Sequence, residues 1–248
     1  MLLGIDVGGS AVKAAALDRR PSLDPGGAAP GPRFSPRTAR VPYSGEVDAA
    51  VVARAIAQAC DELLNGRFAE VRSIGLCLPG IVDEGTGRIR VATNLPGLVG
   101  ARVDDLLPKV LKASGGAIRR CTDAYAAAVG HRLVEPAREG RLAAISIRTG
   151  VGLSVVDGFE PLRVSGESSG HLGHVDVGPC VPGGAVSGDG AKDTLEAYTG
   201  VPALRARFGG DLSFRLAAMG PEDPACIAIV RALRIVHAMY RPHRVALL

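Results

Sequence analysis

The sequence predicts an α/β protein with mixed sheets flanked by helices. Short apolar segments with strand character alternate along the chain with segments whose apolar residues recur at helical spacing. Turns that contain glycine separate several neighbouring strand-like segments, which predicts hairpins within the sheets. The 248 residues are enough to bury the core of one large domain or of two modest lobes.

The first hairpin is predicted over Leu2 to Asp18, where apolar residues lie on both sides of Gly8, Gly9 and Ser10. Glycine lets a phosphate approach the backbone, and successive N–H groups in such a turn bind anions. Asp6 ends the first strand, where its carboxylate would hold a hydrated Mg²⁺ facing those phosphates. An ordinary glycine hairpin with a solvated Asp6 fits the same residues. The sequence has no GxxxxGK[ST] and no GxGxxG that opens a helix.

Further strands and helices are predicted from the same patterns. Residues Arg19 to Tyr43 are rich in Pro, Gly and Arg, which predicts a loop with a short extended piece at Arg37 to Val41. Later strands are predicted at Ser73–Leu78, Arg88–Ala92, Ala117–Cys121, Leu142–Ile147, Gly152–Val156 and Val245–Leu248. Helices are predicted at Glu46–Leu64, Asp104–Lys112, Ala124–Val134, Thr194–Tyr198, Pro202–Phe208 and Cys226–Met239, with Pro108 leaving the bounds of the second helix open.

Composition excludes several classes of protein. Five scattered cysteines without a CxxC pair argue against a disulfide framework and a complete zinc knuckle. A net charge of +4, dispersed arginines and the absence of Trp argue against a nucleic-acid partner. No window holds the run of about 20 apolar residues that a membrane span needs. The chain begins directly with a strand and not with a secretory signal, so we expect a cytoplasmic protein that does not bind a membrane.

The first hairpin resembles a known phosphate motif. Asp6-x-Gly8-Gly9-Ser10 is similar to the first phosphate motif of the sugar kinase, chaperone and actin superfamily. The string GIDVGGSAVKAAALD, which contains Lys13, resembles the start of ROK-family sugar kinases, especially the branch with glucokinases and polyphosphate glucokinases. The resemblance implies an actin-like ATPase (ribonuclease H-like) fold of two lobes. It places residues 1–116 in an N-terminal lobe and residues 117–248 in a C-terminal lobe that is incomplete at its end.

Two further segments of the N-terminal half match the family. SIGLCLPGIV followed by ATNLPGL resembles its Pro-Gly strand end and sugar-contact loop, which implies that Asn94 binds a sugar hydroxyl. A turn asparagine before Pro-Gly is the alternative. CTDAYAAAVG resembles the segment that carries the catalytic base, which implies that role and a sugar contact for Asp123, although a helix N-cap suits Asp123 as well. Thr122 and Tyr125 stand where the family usually has asparagines.

Two segments of the C-terminal half also match. IRTGVG resembles the second phosphate hairpin, which assigns phosphate binding to Thr149, Gly150 and Gly152, with Arg148 at a position where glycine is usual. SGHLGHVDV resembles the family's Gly-Glu-x-Gly-His segment, so His174 would contact the sugar, and His171 replaces the glutamate that grips two sugar hydroxyls. TLEAYTG resembles the segment that comes after the zinc cluster in other members. Only Cys180 remains of that cluster, so we do not expect zinc.

The resemblance implies a hexokinase- or glucokinase-like phosphotransferase. It would move a phosphoryl group from ATP or polyphosphate, with Mg²⁺, to a hexose hydroxyl, and it would form a homodimer. The alternative is a degenerate member that binds a sugar or nucleotide as a sensor or partner subunit. Arg148, His171 and Thr122 motivate this alternative, as does the absence, after RPHRVALL, of the family's adenosine loop. No helix-turn-helix precedes Leu2, which disfavours the repressor branch.

Overall fold

The computed structural model contains two compact units, Met1–Ala126 and Ala127–Leu248. It describes residues 1–18, 36–83, 85–92, 95–113, 115–135, 140–148, 150–164, 169–209 and 212–248. Residues 117–126, which the sequence prediction assigned to the C-terminal lobe, belong to the first of these units. In the described ranges, no helix has both the length and the apolar character that crossing a membrane would require.

The first unit is built on a five-stranded sheet with the strand order β3-β2-β1-β4-β7. Its elements are β1 (Leu2–Val7), β2 (Ala11–Leu17), β3 (Arg37–Pro42), α1 (Ala49–Leu64), β4 (Ser73–Cys77), β5 (Ile81–Val82), β6 (Ile89–Val91), α2 (Val103–Leu106), α3 (Lys109–Ala113) and β7 (Ala117–Cys121). β1, β2 and β3 pair antiparallel, whereas β4 pairs parallel with both β1 and β7. β5 and β6 form a separate small hairpin.

The core of the first unit arises from strand alternation and one amphipathic helix. Leu3, Ile5 and Val7 of β1 point to the same face and are buried. α1 covers the sheet with an apolar stripe that includes Val52 and Ile56, both fully buried. The helix begins at its N-cap Asp48, whose side chain accepts a hydrogen bond of 2.8 Å from the Val51 N–H.

Strand register fixes which residues meet at the edge of this sheet. Asp6 of β1 pairs with Cys77 of β4, and Cys77 pairs in turn with Cys121 of β7. The three strands run parallel, so these residues lie side by side at the carboxyl ends of their strands. Asp123, which begins the next helix, comes two residues after Cys121.

The second unit contains a four-stranded sheet with the strand order β10-β9-β8-β11. Its elements, including a helix that starts in the last residues of the first unit, are α4 (Asp123–Val134), β8 (Arg141–Ile147), β9 (Val151–Asp157), β10 (Glu160–Pro161), α5 (Leu195–Thr199), α6 (Val201–Phe208), α7 (Leu212–Ala217), α8 (Pro224–Tyr240) and β11 (Arg244–Leu247). β9 is antiparallel to β8 and β10, and β11 is parallel to β8. The core packs Val155 and Leu172 against Ala232 and Val236 of α8.

Most predicted elements are confirmed, and one prediction is wrong. Strand β7 has the predicted bounds, and α8 extends the predicted helix by a residue or two at each end. The single helix predicted over Asp104–Lys112 is instead two short helices, α2 and α3, because Pro108 cannot continue the first. The sequence patterns missed β5, β10 and α7. Most of the predicted loop Arg19–Tyr43 lies outside the described residues.

The first unit's core predicts the cost of a cavity. Ile56→Ala removes a fully buried side chain from α1 and should lower the free energy of unfolding by about 2–5 kcal/mol. Ile81→Ala makes the same chemical change at a residue that is 52% exposed, and its effect should be about 0.5 kcal/mol or less. Urea unfolding of the two variants measures the difference, and equal effects would contradict this packing.

Candidate functional site

Asp6 and Lys13 face each other across the first hairpin. They are register partners in the β1–β2 pair, and the Lys13 Nζ lies 3.8 Å from the Asp6 Oδ2. The Asp6 side chain is 36% exposed and the Lys13 side chain 56% exposed, so solvent and ligands can reach both. A carboxylate and an ammonium group at one hairpin can hold a cation and a phosphate respectively.

The turn of this hairpin is closed by its own backbone. The Gly8 N–H donates a hydrogen bond of 3.0 Å to the Ala11 carbonyl. A Cβ at position 8 would lie 3.2 Å from that oxygen, so the close approach favours glycine without any left-handed backbone. Gly9 and Ser10 are exposed, and their N–H groups have no hydrogen-bond partner among the described residues. These two N–H groups are therefore the part of the predicted anion-binding turn that remains open.

Tyr43 carries an orphaned hydroxyl beside the same hairpin. Its backbone N–H donates to the Ser10 carbonyl at 3.1 Å. Its phenolic oxygen is buried and lacks a partner within the part of the chain that the structure describes. Burial, and secondarily the negative charge of Asp6, raise the pKa of Tyr43 to about 12. An unpaired buried hydroxyl next to a carboxylate suits a bound, hydrated ligand.

Two thiols lie between the carboxylates at the edge of the first sheet. The Cys77 and Cys121 Sγ atoms are 3.4 Å apart. The hydrogen bond with Cys121 and burial raise the pKa of the Cys77 thiol, and the negative charges of Asp6 and Asp123 raise it further. The register places Asp6 and the start of α4 at the same edge of the first sheet, and the roles expected for Asp6 and Asp123 stay predictions.

Thr122, not Asp123, caps α4. The Thr122 Oγ1 accepts a hydrogen bond of 3.2 Å from the Tyr125 N–H, as an N-cap side chain does. The Asp123 Oδ1 accepts a hydrogen bond of 2.8 Å from the Ala124 N–H, and the Asp123 side chain is exposed. The unusual Thr122 thus has a structural role at the start of the helix, and the Asp123 carboxylate is accessible for chemistry.

Two predicted site residues, Asn94 and Thr149, lie outside the described residues. The loop after Asn94 packs closely against the backbone before α1. Gly97 forms a parallel β-bridge with Asp48, and a Cβ at Gly97 would lie 2.3 Å from the Val47 carbonyl oxygen. This contact anchors the Pro-Gly end of the predicted sugar loop on the residues that precede α1.

Glu196 on α5 braces the second predicted phosphate hairpin. Its Oε2 accepts a hydrogen bond of 3.1 Å from the Val151 N–H, at the start of β9. The same oxygen would lie 2.8 Å from a Cβ at Gly150 and 2.9 Å from a Cβ at Gly173. Gly152 pairs with Ser146 within the hairpin. The sequence analysis missed Glu196, although TLEAYTG contains it and the two glycines it contacts lie in motifs already singled out.

His171 and His174 lie at the two ends of a single helical turn. Their rings stand edge to face with centroids 6.0 Å apart, and both side chains are exposed. The His174 Nδ1 lies 3.0 Å from the Asp189 Oδ2. The Ser187 hydroxyl and the Ala191 N–H lower the pKa of Asp189, with His174 contributing less. The Asp189 side chain is thus a carboxylate anion that can orient the His174 ring.

The loop at the expected zinc position is held by hydrogen bonds. Asp193 accepts from the Tyr198 hydroxyl and, at 3.0 Å, from the Ala185 N–H, and the Tyr198 oxygen accepts 3.0 Å from the Cys180 N–H. The Cys180 thiol lies 3.6 Å from an Arg231 guanidinium nitrogen. Within the described ranges, no group of three or more His, Cys, Asp or Glu residues is arranged to hold a metal. The expectation about zinc stays a prediction.

Comparison with known proteins identifies one family along most of the chain. The ROK family profile matches residues 2–224. The curated N-acetylmannosamine kinase of Salmonella gallinarum is 28% identical over 213 residues, which are 85% of this chain. The chain spans 65% of the length of that relative and of its counterpart from Salmonella newport.

Solved structures share the fold. A ROK hexokinase from Thermus thermophilus is 26% identical, with a TM-score of 0.68 over 99% of this chain and 80% of that chain. A ROK glucokinase from Streptomyces griseus, solved with glucose and AMPPNP, is 19% identical, with a TM-score of 0.65 over 99% and 82%. An Arthrobacter polyphosphate/ATP-glucomannokinase is 20% identical, with a TM-score of 0.62 over 99% and 82%. These matches confirm the predicted fold class.

The cap on α4 gives one test of the site. Thr122→Ala removes the oxygen that accepts from the Tyr125 N–H and should destabilise the protein by about 0.5–2 kcal/mol. Thr122→Ser keeps a capping hydroxyl and should restore most of this loss. Thermal and urea unfolding measure the effect. A Thr122→Ala variant as stable as the wild type would return the capping role to Asp123.

Tyr43 gives a second test, because its hydroxyl has no partner among the described residues. Tyr43→Phe should change stability by less than about 0.5 kcal/mol, whereas Tyr240→Phe, which removes a hydroxyl bonded to the Ser169 carbonyl, should cost about 1 kcal/mol. In the wild type, the Tyr43 phenol has a pKa near 10.0 in the unfolded chain and about 12 in the folded protein. The protonated phenol therefore stabilises the fold below pH 10, and this stabilisation is lost as the pH rises to about 12. Tyr43→Phe should reduce that alkaline loss, and an unchanged pH dependence would contradict the raised pKa.

Proposed function

This chain belongs to the ROK family, and we propose that it is a sugar kinase that transfers a phosphoryl group to a hexose hydroxyl. The observation that supports the proposal is the strand register, which aligns Asp6 with Cys77 and Cys121 at one edge of the first sheet, two residues before Asp123. One carboxylate lies beside an open phosphate-type turn, and the other begins a helix and is exposed. Phosphoryl transfer needs both of these functions.

Asp123 is proposed as the general base. Its carboxylate is accessible and is not engaged in capping α4, since Thr122 has that role. It would accept the proton of the attacking sugar hydroxyl as the oxygen–phosphorus bond forms and the bond to the donor's leaving oxygen breaks. The Ala124 N–H donates to one carboxylate oxygen and would orient the group toward that hydroxyl.

Asp6 and Lys13 are proposed to hold the donor's phosphate end. Mg²⁺ prefers oxygen ligands, keeps several waters and binds through one or two carboxylates plus phosphates, and the accessible Asp6 carboxylate fits that set. A bound Mg²⁺ would neutralise charge on the phosphates. Lys13, 3.8 Å from Asp6, and the open N–H groups of Gly9 and Ser10 would bind the phosphate oxygens themselves.

Further residues are proposed as ligands of the two substrates. Thr149, Gly150 and Gly152 are proposed to bind donor phosphates, with Glu196 bracing the Gly150 turn through the Val151 N–H. Arg148 is exposed at the same turn and would add a cation for a phosphate chain. The sugar is proposed to bind through Asn94, His171 and His174, with His174 oriented by Asp189.

The sugar and the donor are chosen by analogy with relatives. The curated relatives phosphorylate N-acetylmannosamine by name, and solved proteins of this fold are a hexokinase, a glucokinase and a polyphosphate/ATP-glucomannokinase. We therefore propose a hexose or N-acetylhexosamine as acceptor and ATP or polyphosphate as donor. Assembly as a homodimer stays a prediction.

A second candidate is binding without turnover. One protein of the same fold is a ROK transcriptional regulator, 18% identical with a TM-score of 0.63. The replacement of a glutamate by the exposed His171 at the sugar segment favours a retuned or non-catalytic site. Stabilisation by a hexose in a thermal-shift assay, without any phosphorylated product, would identify this function.

The kinase proposal predicts the effect of removing the base. Asp123→Asn should lower kcat roughly 10²- to 10⁴-fold, because the amide cannot accept the hydroxyl proton, while the fold is kept. The measurement is product formation on glucose, mannose and N-acetylmannosamine with ATP and with polyphosphate, each with Mg²⁺.

Asp61→Asn is the matched control for this experiment. Asp61 is an exposed carboxylate on α1 whose side chain has no role in the proposed site, so its amide variant should keep wild-type kcat. Full activity of Asp123→Asn would remove Asp123 from the role of base. Absence of activity in the wild type, with sugar binding intact, would favour the non-catalytic candidate.

A further inference from the structure

The first unit contains an open cavity of about 520 Å³ whose charged lining is mostly arginine. Its lining residues are Gly85, Thr86, Gly87, Arg88, Arg102, Asp104 and Arg120. None of these residues belongs to the proposed kinase site. The cavity is therefore separate from that site.

Strand register places Arg120 where an apolar residue would be expected. Arg120 of β7 pairs with Leu76 of β4, so their side chains lie on the same face of the sheet. Leu76 is fully buried in the core on that face, whereas Arg120 is exposed and lines the cavity. On the face of the sheet that carries Leu76, the edge strand β7 thus presents the Arg120 guanidinium group, which lies close to the turn at Gly87.

The charges around the cavity are not balanced. Arg88 donates to the Gly100 carbonyl, which is neutral, and the Arg102 guanidinium lies 3.6 Å from the Asp104 carboxylate. Arg120 has no hydrogen bond or ion pair with any residue that the structure describes. Among the residues that the structure describes, three guanidinium groups therefore share one cavity with a single carboxylate. Their mutual repulsion would be relieved by a bound anion.

The carboxylate of Asp83 is hydrogen-bonded within the turn that closes the cavity. Asp83 accepts 2.8 Å hydrogen bonds from both the N–H and the hydroxyl of Thr86, and these bonds lower its pKa. The Asp83 carbonyl also accepts 2.8 Å from the Gly87 N–H. This acid is held by its own turn and does not line the cavity. The excess positive charge of the arginines is left for a ligand.

The cavity and the Asp6 carboxylate lie on opposite faces of the first sheet. Arg120 and Cys121 are successive residues of β7, so their side chains point to opposite faces. Cys121 shares its face with Cys77 and Asp6, its partners in register. A ligand in the arginine cavity would therefore not be the reacting phosphoryl group at the Asp6 hairpin.

We propose that this cavity is a binding site for a phosphate-bearing anion with at least two negative charges. Guanidinium groups bind phosphate oxygens through paired N–H donors, and Arg120, Arg88 and Arg102 supply three such groups around one volume. The site stands independently of the kinase activity proposed above. A linear oligophosphate and a phosphorylated sugar present the same chemistry, so the experiment includes both.

Isothermal titration calorimetry at low ionic strength tests the site with three probes: tripolyphosphate, glucose 6-phosphate and orthophosphate, all in EDTA to remove Mg²⁺. At least one probe should bind saturably to the wild type. Arg120→Gln should weaken that binding about tenfold, the loss of one charge-assisted hydrogen-bonded group. Arg120→Lys, which keeps the charge but not the paired donors, should be intermediate. The tightest probe then identifies the source of the phosphate.

A matched variant makes the comparison specific. Arg119→Gln removes the same charge from the neighbouring residue of β7, on the opposite face. It should bind the probe within about twofold of the wild type. Equal weakening by Arg119→Gln and Arg120→Gln would reduce the effect to general surface charge and overturn the proposal. Absence of saturable binding to a wild-type protein that unfolds normally would also overturn it.

Discussion

Parallel pairing of β1, β4 and β7 is the constraint on which the candidate site depends. It aligns Asp6, Cys77 and Cys121 at the carboxyl ends of three adjacent strands, and the chain reaches Asp123 two residues later. A shift of one residue in the β4–β7 register would turn Cys121 to the other face and carry the start of α4 with it. On β4, the buried Ile74 and Leu76 fix which face of the strand turns to the core, because a shift of β4 by one residue would expose them.

Neighbouring residues, and not the proposed reactive groups, make the local structural contacts. Thr122 caps α4, and the exposed Asp123 carboxylate accepts a hydrogen bond from the Ala124 N–H. In the second unit, Glu196 takes up the Val151 N–H and fills the space beside two glycines, which fixes the turn after β8. Asp193, Tyr198 and Cys180 tie the following loop by hydrogen bonds. These supports hold the proposed ligand-binding segments in place.

Much of this could be predicted from the sequence, since hydrophobic spacing and glycine turns are local signals. The hairpin at Gly8, strand β7 and helix α8 are predicted by such patterns, and the family motif located Asp6 and Asp123. Roles that depend on partners distant in sequence were not predictable. Glu196 meets Gly150 across 46 positions of the chain, and Arg120 occupies a core-facing position only because it pairs with Leu76. Single-sequence patterns carry no information about such pairings.

Oxidative cross-linking of the cysteines tests this arrangement most directly. The Cys77 and Cys121 Sγ atoms are 3.4 Å apart only if β4 and β7 pair in the register described. After prolonged treatment of the native protein with diamide, peptide mass spectrometry should find one linked pair, Cys77–Cys121, with Cys60 and Cys226 unlinked. Links from Cys77 or Cys121 to any other cysteine of the same chain would contradict the register and the site built on it.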